Sequence, residues 1–393
     1  MRSPVLVVAA KEIRENLRDR RTLFSALIFG PLFGPILFAL MMTLTLDRAV
    51  SNLDTPLELA VSGQAIAPNL IRFLEENGTT IKPAPDTLAD AQSAVRAGEI
   101  DLALVIPERY AERLQQGQPA PLELVWDSSN SQVAKHAARA RGLLDAYGRQ
   151  LAAVRLQVRG ISPVTILPID VRTVDVSTPA SRSVLVLGMM TYLILFATLM
   201  GGLYLAIDAT AGERERGSLE ALLTLPVERG SLIGGKILAT CVFMTLSLAL
   251  TVTAFTVSLR WVPLETLGMS SNFGVLVALA VLGVTLPFVP LGAALMTVIA
   301  SFTRSYKEAQ TWVALVLLIP TLPILVASLY SLKENAWLMS LPSLSQHLLI
   351  TQLLRGDSLS AGNIAISAGA SLVLGGLLVA LAVRLYRREA LLG

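Results

Sequence analysis

Six stretches of this chain, each about 20 residues or longer, contain no Asp, Glu, Lys, Arg or His. They are Thr22–Leu46, Ser183–Ile207, Ile237–Leu259, Phe273–Ser301, Ala309–Leu332 and Ile364–Val383. About 20 apolar residues suffice for a helix to cross the hydrocarbon core of a bilayer. Backbone polar groups in lipid must be paired within the segment, so helices are the expected form. The expectation is an α-helical membrane protein with six transmembrane helices. Pro287, Pro290, Pro320 and Pro323 fall in the fourth and fifth stretches. Proline removes a helix hydrogen bond, which predicts kinks or breaks there.

Basic residues in short loops set the orientation. An even number of spans puts both termini on one side. Fifteen Lys and Arg lie in the short segments of that side, six of them before the first span. The opposite short loops hold only Arg260, Lys333 and Arg355. Both termini are therefore expected to be cytoplasmic, in a multi-pass cell-membrane protein. Residues 47–182 would lie outside. They are left out of the count because long domains translocate regardless of charge. The apolar run Val5–Ala10 is too short for a signal peptide and charges follow it at once, so the first span reads as an uncleaved anchor.

Residues 1–21 pattern as an amphipathic elbow helix. Val5, Val8, Ala9, Ile13 and Leu17 recur near helical spacing, with Lys11, Arg14, Arg18 and Arg21 between them. Membrane lipid is its first expected partner, and contact with a cytoplasmic protein its second. Residues 22–46 form the first transmembrane helix. Residues 47–182 read as an inserted α/β domain. Strand patterns occur at Leu57–Val61, Asp101–Ile106, Leu122–Trp126 and Ile169–Val176, with helical patterns between them and a long helix over Ser131–Val158. Residues 183–393 carry the remaining five spans. The outer segment 333–363 is open to a re-entrant reading. Gly30, Gly34, Gly201 and Gly202 suit close helix contact, in a dimer seam or inside one subunit.

Several functions are excluded or disfavoured. The net charge of +3 comes with basic residues that flank apolar spans, so no nucleic acid partner is expected. One cysteine, Cys241, and two histidines leave no set of zinc ligands, and no metal site is expected. Gly230-Ser-Leu-Ile-Gly-Gly-Lys236 nearly fits a phosphate loop. However, Ile237 stands where the Ser or Thr for magnesium belongs, no strand precedes it, and a span follows at once. The chain is not expected to bind nucleotide or to be an enzyme.

The charged stretch after the second span, 208–230, reads as a helix at the membrane surface. Gly212 and Gly217 relax its backbone, Pro226 marks its end, and Arg216 and Glu220 are spaced to pair. On residues alone, a solvated loop helix explains it as well as a docking element does. Asp208, Ala211-Gly-Glu-Arg-Glu-Arg-Gly-Ser-Leu-Glu220, Leu223, Pro226 and Gly235-Lys236 resemble the coupling-helix signature of ABC exporter permeases. The group resembling the NatB sodium-efflux permease is the most similar. A basic elbow helix with Lys11-Glu12-Ile-Arg14, one span, a large outer domain and five further spans extend the resemblance over essentially the whole chain.

The resemblance implies a permease subunit of an ATP-driven exporter. Asp208, Gly212, Glu213, Arg214, Glu215, Arg216, Glu220 and Pro226 would couple to a separate cytoplasmic ABC ATPase, and Lys11, Glu12 and Arg14 would belong to the elbow. ATP and magnesium would be bound by that ATPase, with no cofactor in this chain. A second permease copy would complete the unit, most simply as a homodimer, with a heterodimer as the alternative. Ionisable residues inside membranes usually mark ion pathways. Their absence from these spans suits a lipid-like, peptide or amphipathic drug substrate better than sodium. Thr191, Tyr192, Thr198, Thr240, Thr245, Ser247 and Thr251 read as hydrogen-bonders between helices. Two rival readings stand beside the exporter. One is a mechanotransmitter that moves its outer domain without passing a molecule. The other is a membrane-anchored binding or sensor module.

Overall fold

A computed structural model describes residues 3–54, 56–162, 164, 179–224, 226–267, 273–319, 321–329, 332 and 335–387. The expected strand at Ile169–Val176 lies outside these residues, as do Pro320 and the side chain of Glu220. The chain divides into two compact units, Met1–Val50 with Val176–Gly393, and Ser51–Asp175.

The larger unit is all-helical. Among the described residues, five of its helical stretches are long and apolar enough to cross a membrane: Phe24–Leu46, Gly188–Glu215, Arg229–Trp261, Tyr306–Ala327 and Ala361–Tyr386. Two further helices, Val275–Thr285 and Phe288–Ser301, are bent by 43° and make a sixth when counted as one broken span. The break falls at Pro287, with Pro290 in the first turn of the second helix, where a missing N–H costs no helix hydrogen bond. In the fifth span the helix Tyr306–Val316 gives way to turns before Thr321–Leu329.

The helix Arg229–Ser258 packs along Pro179–Ile207 and forms the centre of this unit. Gly201 and Gly202 allow the approach. A Cβ at Gly201 would lie 2.3 Å from Ser247 Cβ, and one at Gly202 2.6 Å from Met244 Cγ. The glycine pair thus packs inside one subunit. Ser247 donates to the Ala197 carbonyl at 2.8 Å across the same seam. Thr198, Thr240 and Thr251 differ from the expected interhelical bonding. Each donates to the carbonyl four residues back in its own helix, at Ile194, Lys236 and Ser247. A threonine hydroxyl reaches that carbonyl without leaving its helix, so the local bond forms first.

The segment after the fifth span folds inward. Met339, Leu344, Leu348, Leu349, Ile350 and Leu354 are buried in the main core. The helix Leu344–Arg355 opens with Ser343, whose φ of 70° is the single positive value at a non-glycine among the described residues. Gln346 closes the turn by accepting from the Ser343 N–H at 2.6 Å. It also donates to Ser367 and Ser371 at 3.2 and 3.1 Å, and Ser367 donates to Ser345 at 2.9 Å. This buried polar knot joins the helix to Ala361–Arg387. The S-x-x-Q spacing of Ser343 and Gln346 signals such a helix start.

The smaller unit is a mixed sheet with helices. Its strands are β1 (Leu57–Ser62), β2 (Thr79–Pro83), β3 (Leu102–Val105) and β4 (Glu123–Trp126), in the order β2-β1-β3-β4. β1 runs parallel to β2 and β3, and β4 runs antiparallel to β3. β2 was not evident in the apolar pattern, because Thr79-Thr-Ile-Lys-Pro83 holds one aliphatic residue and sits at the sheet edge. Helices Pro68–Glu76 and Leu88–Ala97 make the parallel crossovers, and the long helix Ser131–Val158 follows β4. Leu57, Leu59, Leu70, Leu74, Leu102, Leu104, Ala137 and Ala140 form one core.

The glycine seam yields a stability prediction. Gly201→Ala should lower stability by about 1–3 kcal/mol through overpacking, whereas Gly188→Ala, with nothing within 4 Å of its added Cβ, should be neutral or slightly stabilising. Thermal unfolding of both variants in lipid nanodiscs checks this, and equal midpoints would contradict the packing.

Candidate functional site

The segment 208–226 is not one continuous helix. The second-span helix runs on through a π-helical turn, Asp208–Gly212, into a single α turn, Glu213–Glu215. Gly217 then takes a left-handed conformation, φ 70°, that a side chain would disfavour. A short helix, Ser218–Leu223, follows, and the third-span helix begins at Arg229. The left-handed Gly217 is what turns the chain and interrupts the expected helix.

The charges of this segment point in different directions. Glu213 is buried, and its Oε1 lies 2.7 Å from Lys236 Nζ. Lys236, in the first turns of the third-span helix, is 2% exposed and also reaches Glu12 Oε1 at 3.0 Å. Glu12, 3% exposed, comes from the elbow helix Pro4–Asn16. Lys11 adds the outer layer, 3.2 Å from Glu12, 3.1 Å from Glu15 and 3.6 Å from Glu213. Burial works against the Lys11 ammonium, but Glu12, Glu15 and Glu213 hold its pKa above the usual lysine value. Two carboxylates and an ammonium buried together thus join three chain segments. The Oε2 of Glu213 is buried with no hydrogen-bond partner among the described residues.

Gly235 explains why the elbow can come so close. A Cβ there would lie 2.6 Å from Val8 Cβ and 2.8 Å from the Val5 carbonyl. The buried face of the elbow helix therefore includes Ala9, Glu12 and Asn16. The apolar stripe read from the sequence missed the polar half of that face. Arg14 is exposed.

Arg214 reaches the other way. Its guanidinium donates to the Thr303 carbonyl at 2.7 Å and the Ser301 carbonyl at 3.1 Å, at the C-terminus of the Phe288–Ser301 helix. Helix-end carbonyls lack partners within the helix, and a cation there also suits the helix dipole. Glu215 accepts from the Tyr306 N–H at 2.6 Å, the first residue of the next helix. Arg216 pairs with Asp208 at 2.8 Å, and the pairing expected with Glu220 falls on a side chain outside the described residues. The π turn and the break at Gly217 bring residues eight apart together, and Asp208 raises the Arg216 pKa. Gly212 is buried beside this pair, and Pro226 is exposed. Between elbow and segment opens a cleft of about 490 Å³, walled in part by Lys11, Asp208, Arg216, Ser218 and Leu222.

The phosphate-loop resemblance dissolves in the structure. Residues 230–236 lie inside a helix, and Lys236 is committed to two carboxylates. Among the described residues no group of three His, Cys, Asp or Glu is placed to hold a metal.

Helices of this length and apolarity define a multi-pass membrane protein. The profile of the ABC-2 family transporter proteins matches residues 20–384, so the chain belongs to the ABC-2 transporter family and is a transporter permease subunit. The ABC transporter permease protein NatB of Bacillus subtilis (strain 168) is 27% identical to it over 367 residues, 88% of each chain.

The charge cluster predicts a clear mutational asymmetry. Lys236→Met leaves Glu12 and Glu213 buried without their shared cation and should cost about 3–5 kcal/mol. The triple variant Glu12→Gln, Glu213→Gln, Lys236→Met should recover most of that loss. Thermal unfolding in nanodiscs distinguishes the two, and a single variant within about 1 kcal/mol of the parent would show the cluster to be unimportant.

Proposed function

We propose that this permease subunit works with a separate cytoplasmic ABC ATPase, which binds the ATP and magnesium and delivers its motion at residues 208–226. Both termini then lie in the cytoplasm and residues 47–182 outside. The short helix Ser218–Leu223, with exposed Arg216 and Pro226, forms the docking surface. Glu213 and Arg214 carry the motion inward, Glu213 to the elbow and third span through Lys236, Arg214 to the end of the fourth span. The buried Glu12–Lys236–Glu213 cluster is the single observation that carries this reading. A loop whose charges were solvated could be displaced without moving the helices behind it. Here a push on 218–223 acts on groups whose separation costs several kcal/mol.

We infer that two permease copies share the work, most simply as a homodimer with its axis along the membrane normal. The cargo best suited to uncharged spans is an amphipathic or lipid-like molecule, a drug or a peptide. Sodium, which the spans offer few polar ligands, is the less favoured cargo. The mechanotransmitter reading shares the same coupling and differs only in passing no molecule through the spans. A membrane-anchored sensor without an ATPase has less support, since it gives the clamp between 208–216 and three other segments nothing to transmit.

Co-purification with a candidate ATPase, followed by turnover in nanodiscs across sodium, lipids, peptides and amphipathic drugs, tests the proposal. Ala221→Asp, on the exposed short helix, should abolish co-purification. Arg214→Lys should retain the ATPase but lower compound-stimulated turnover at least tenfold. Turnover that no compound stimulates, yet which Arg214→Lys still alters, would favour mechanotransmission. An ATPase that never co-purifies with the parent chain would overturn the coupling.

A further inference from the structure

We propose that the sheet domain, 51–175, holds a binding groove for a single acyl chain bearing an anionic head. The groove has a volume of about 970 Å³ and lies between the long helix Ser131–Val158 and one face of the sheet. Leu124 and Trp126 line it from β4, and Leu122 from the residue just before that strand. Residues two apart in a strand share a face, so the groove meets side chains of the sheet rather than the open backbone of an edge. Leu144 and Leu151 face them from the helix, with Leu114 at one end.

The polar groups at the floor are already engaged with one another. Arg155 donates to the Leu114 carbonyl at 2.7 Å, and Tyr110 is hydrogen-bonded to Tyr147. The leucines and Trp126 make an apolar stripe along the groove, with Gln118, Asp145 and the arginines as polar lining beside it. The apolar stripe suits a hydrocarbon chain, which brings no polar groups of its own to be satisfied there. The groove's volume lies in the range of small-molecule sites, which are mainly apolar with a few placed polar groups.

The rim supplies the charge. Arg141 lines the groove from the helix and Arg159 from the turn just past its C-terminus, and both are exposed. They stand about 27 Å apart, so one head meets either Arg141 or Arg159, and each end of the groove has its own cation. Among the described residues neither makes an ion pair, and Asp145 is the acidic residue on the lining beside them. Guanidinium groups match carboxylate and phosphate oxygens in bidentate fashion, which selects an anionic head over a neutral one. Chain connectivity tethers this domain to membrane helices at both ends, so amphiphiles are at hand. The inference stands on the domain's own geometry and does not depend on the export reading.

The test uses the full chain in lipid nanodiscs with a diazirine-bearing palmitate, its hexadecanol counterpart and mass-spectrometric mapping of the adducts. Palmitate adducts should concentrate within residues 110–159. The Arg141→Glu, Arg159→Glu double variant should reduce them at least fivefold, and Ala138→Trp, which fills the exposed mouth, should do the same. Restoring lysine at 141 and 159 should recover part of the labelling, and unfolding midpoints of the variants should match the parent. Equal labelling by the alcohol, adducts spread evenly over the spans, or displacement of palmitate by an acidic peptide would each overturn the proposal. Loss of ATPase coupling in the parent chain would leave the labelling pattern intact, so the two readings fail separately.

Discussion

One buried ammonium organises one end of the helical unit of this protein. Lys236 sits at the start of a membrane helix with almost no solvent contact and takes its two partners from elsewhere in the sequence, Glu12 from the elbow and Glu213 from the second span's extension. A lone charge at such depth carries a desolvation penalty of several kcal/mol, which only close opposite charges offset. Three segments must therefore converge for any of them to hold its charge. Gly235 makes that convergence possible by leaving room for the backbone of the elbow.

The geometry assigns the Glu-Arg-Glu-Arg run four distinct tasks. Glu213 faces inward to the ion cluster, and Arg214 caps a neighbouring helix. Glu215 starts the helix after it, and Arg216 closes the π turn back to Asp208. A uniform charged face would have served solubility. Four different directions instead bind the segment to the elbow, the third span and the ends of two later helices. The cluster also stops short of full satisfaction, because the second oxygen of Glu213 is buried without a partner among the described residues.

Much of this could be read from the sequence, for physical reasons that also mark its limits. The apolar spans were legible because charge is so costly in hydrocarbon that its absence is informative. The bend at Pro287 and the long helix Ser131–Val158 were legible because proline chemistry and 3.6-residue periodicity are local. The position of the charged segment was equally plain. Its internal architecture was not, since the Asp208–Arg216 pair depends on a π turn and a left-handed glycine, which fall outside the i,i+4 rule. The partnership of Lys236 with Glu12 spans more than half the chain and leaves no periodic trace. β2 and the knot around Gln346 went unseen for similar reasons, the first too short and polar, the second assembled from residues of two helices.

The central proposal is that the elbow and the segment 208–226 move as one body. Spin labels at Arg18→Cys and Thr224→Cys, both exposed positions, in a Cys241→Ser background, would report their separation by pulsed electron resonance in the ATPase-bound complex. The account predicts one narrow distance distribution that stays unchanged between nucleotide-free and ATP-bound states in the parent chain and broadens when Lys236→Met is added. A distance that shifts with nucleotide in the parent, or that ignores the loss of Lys236, would contradict it.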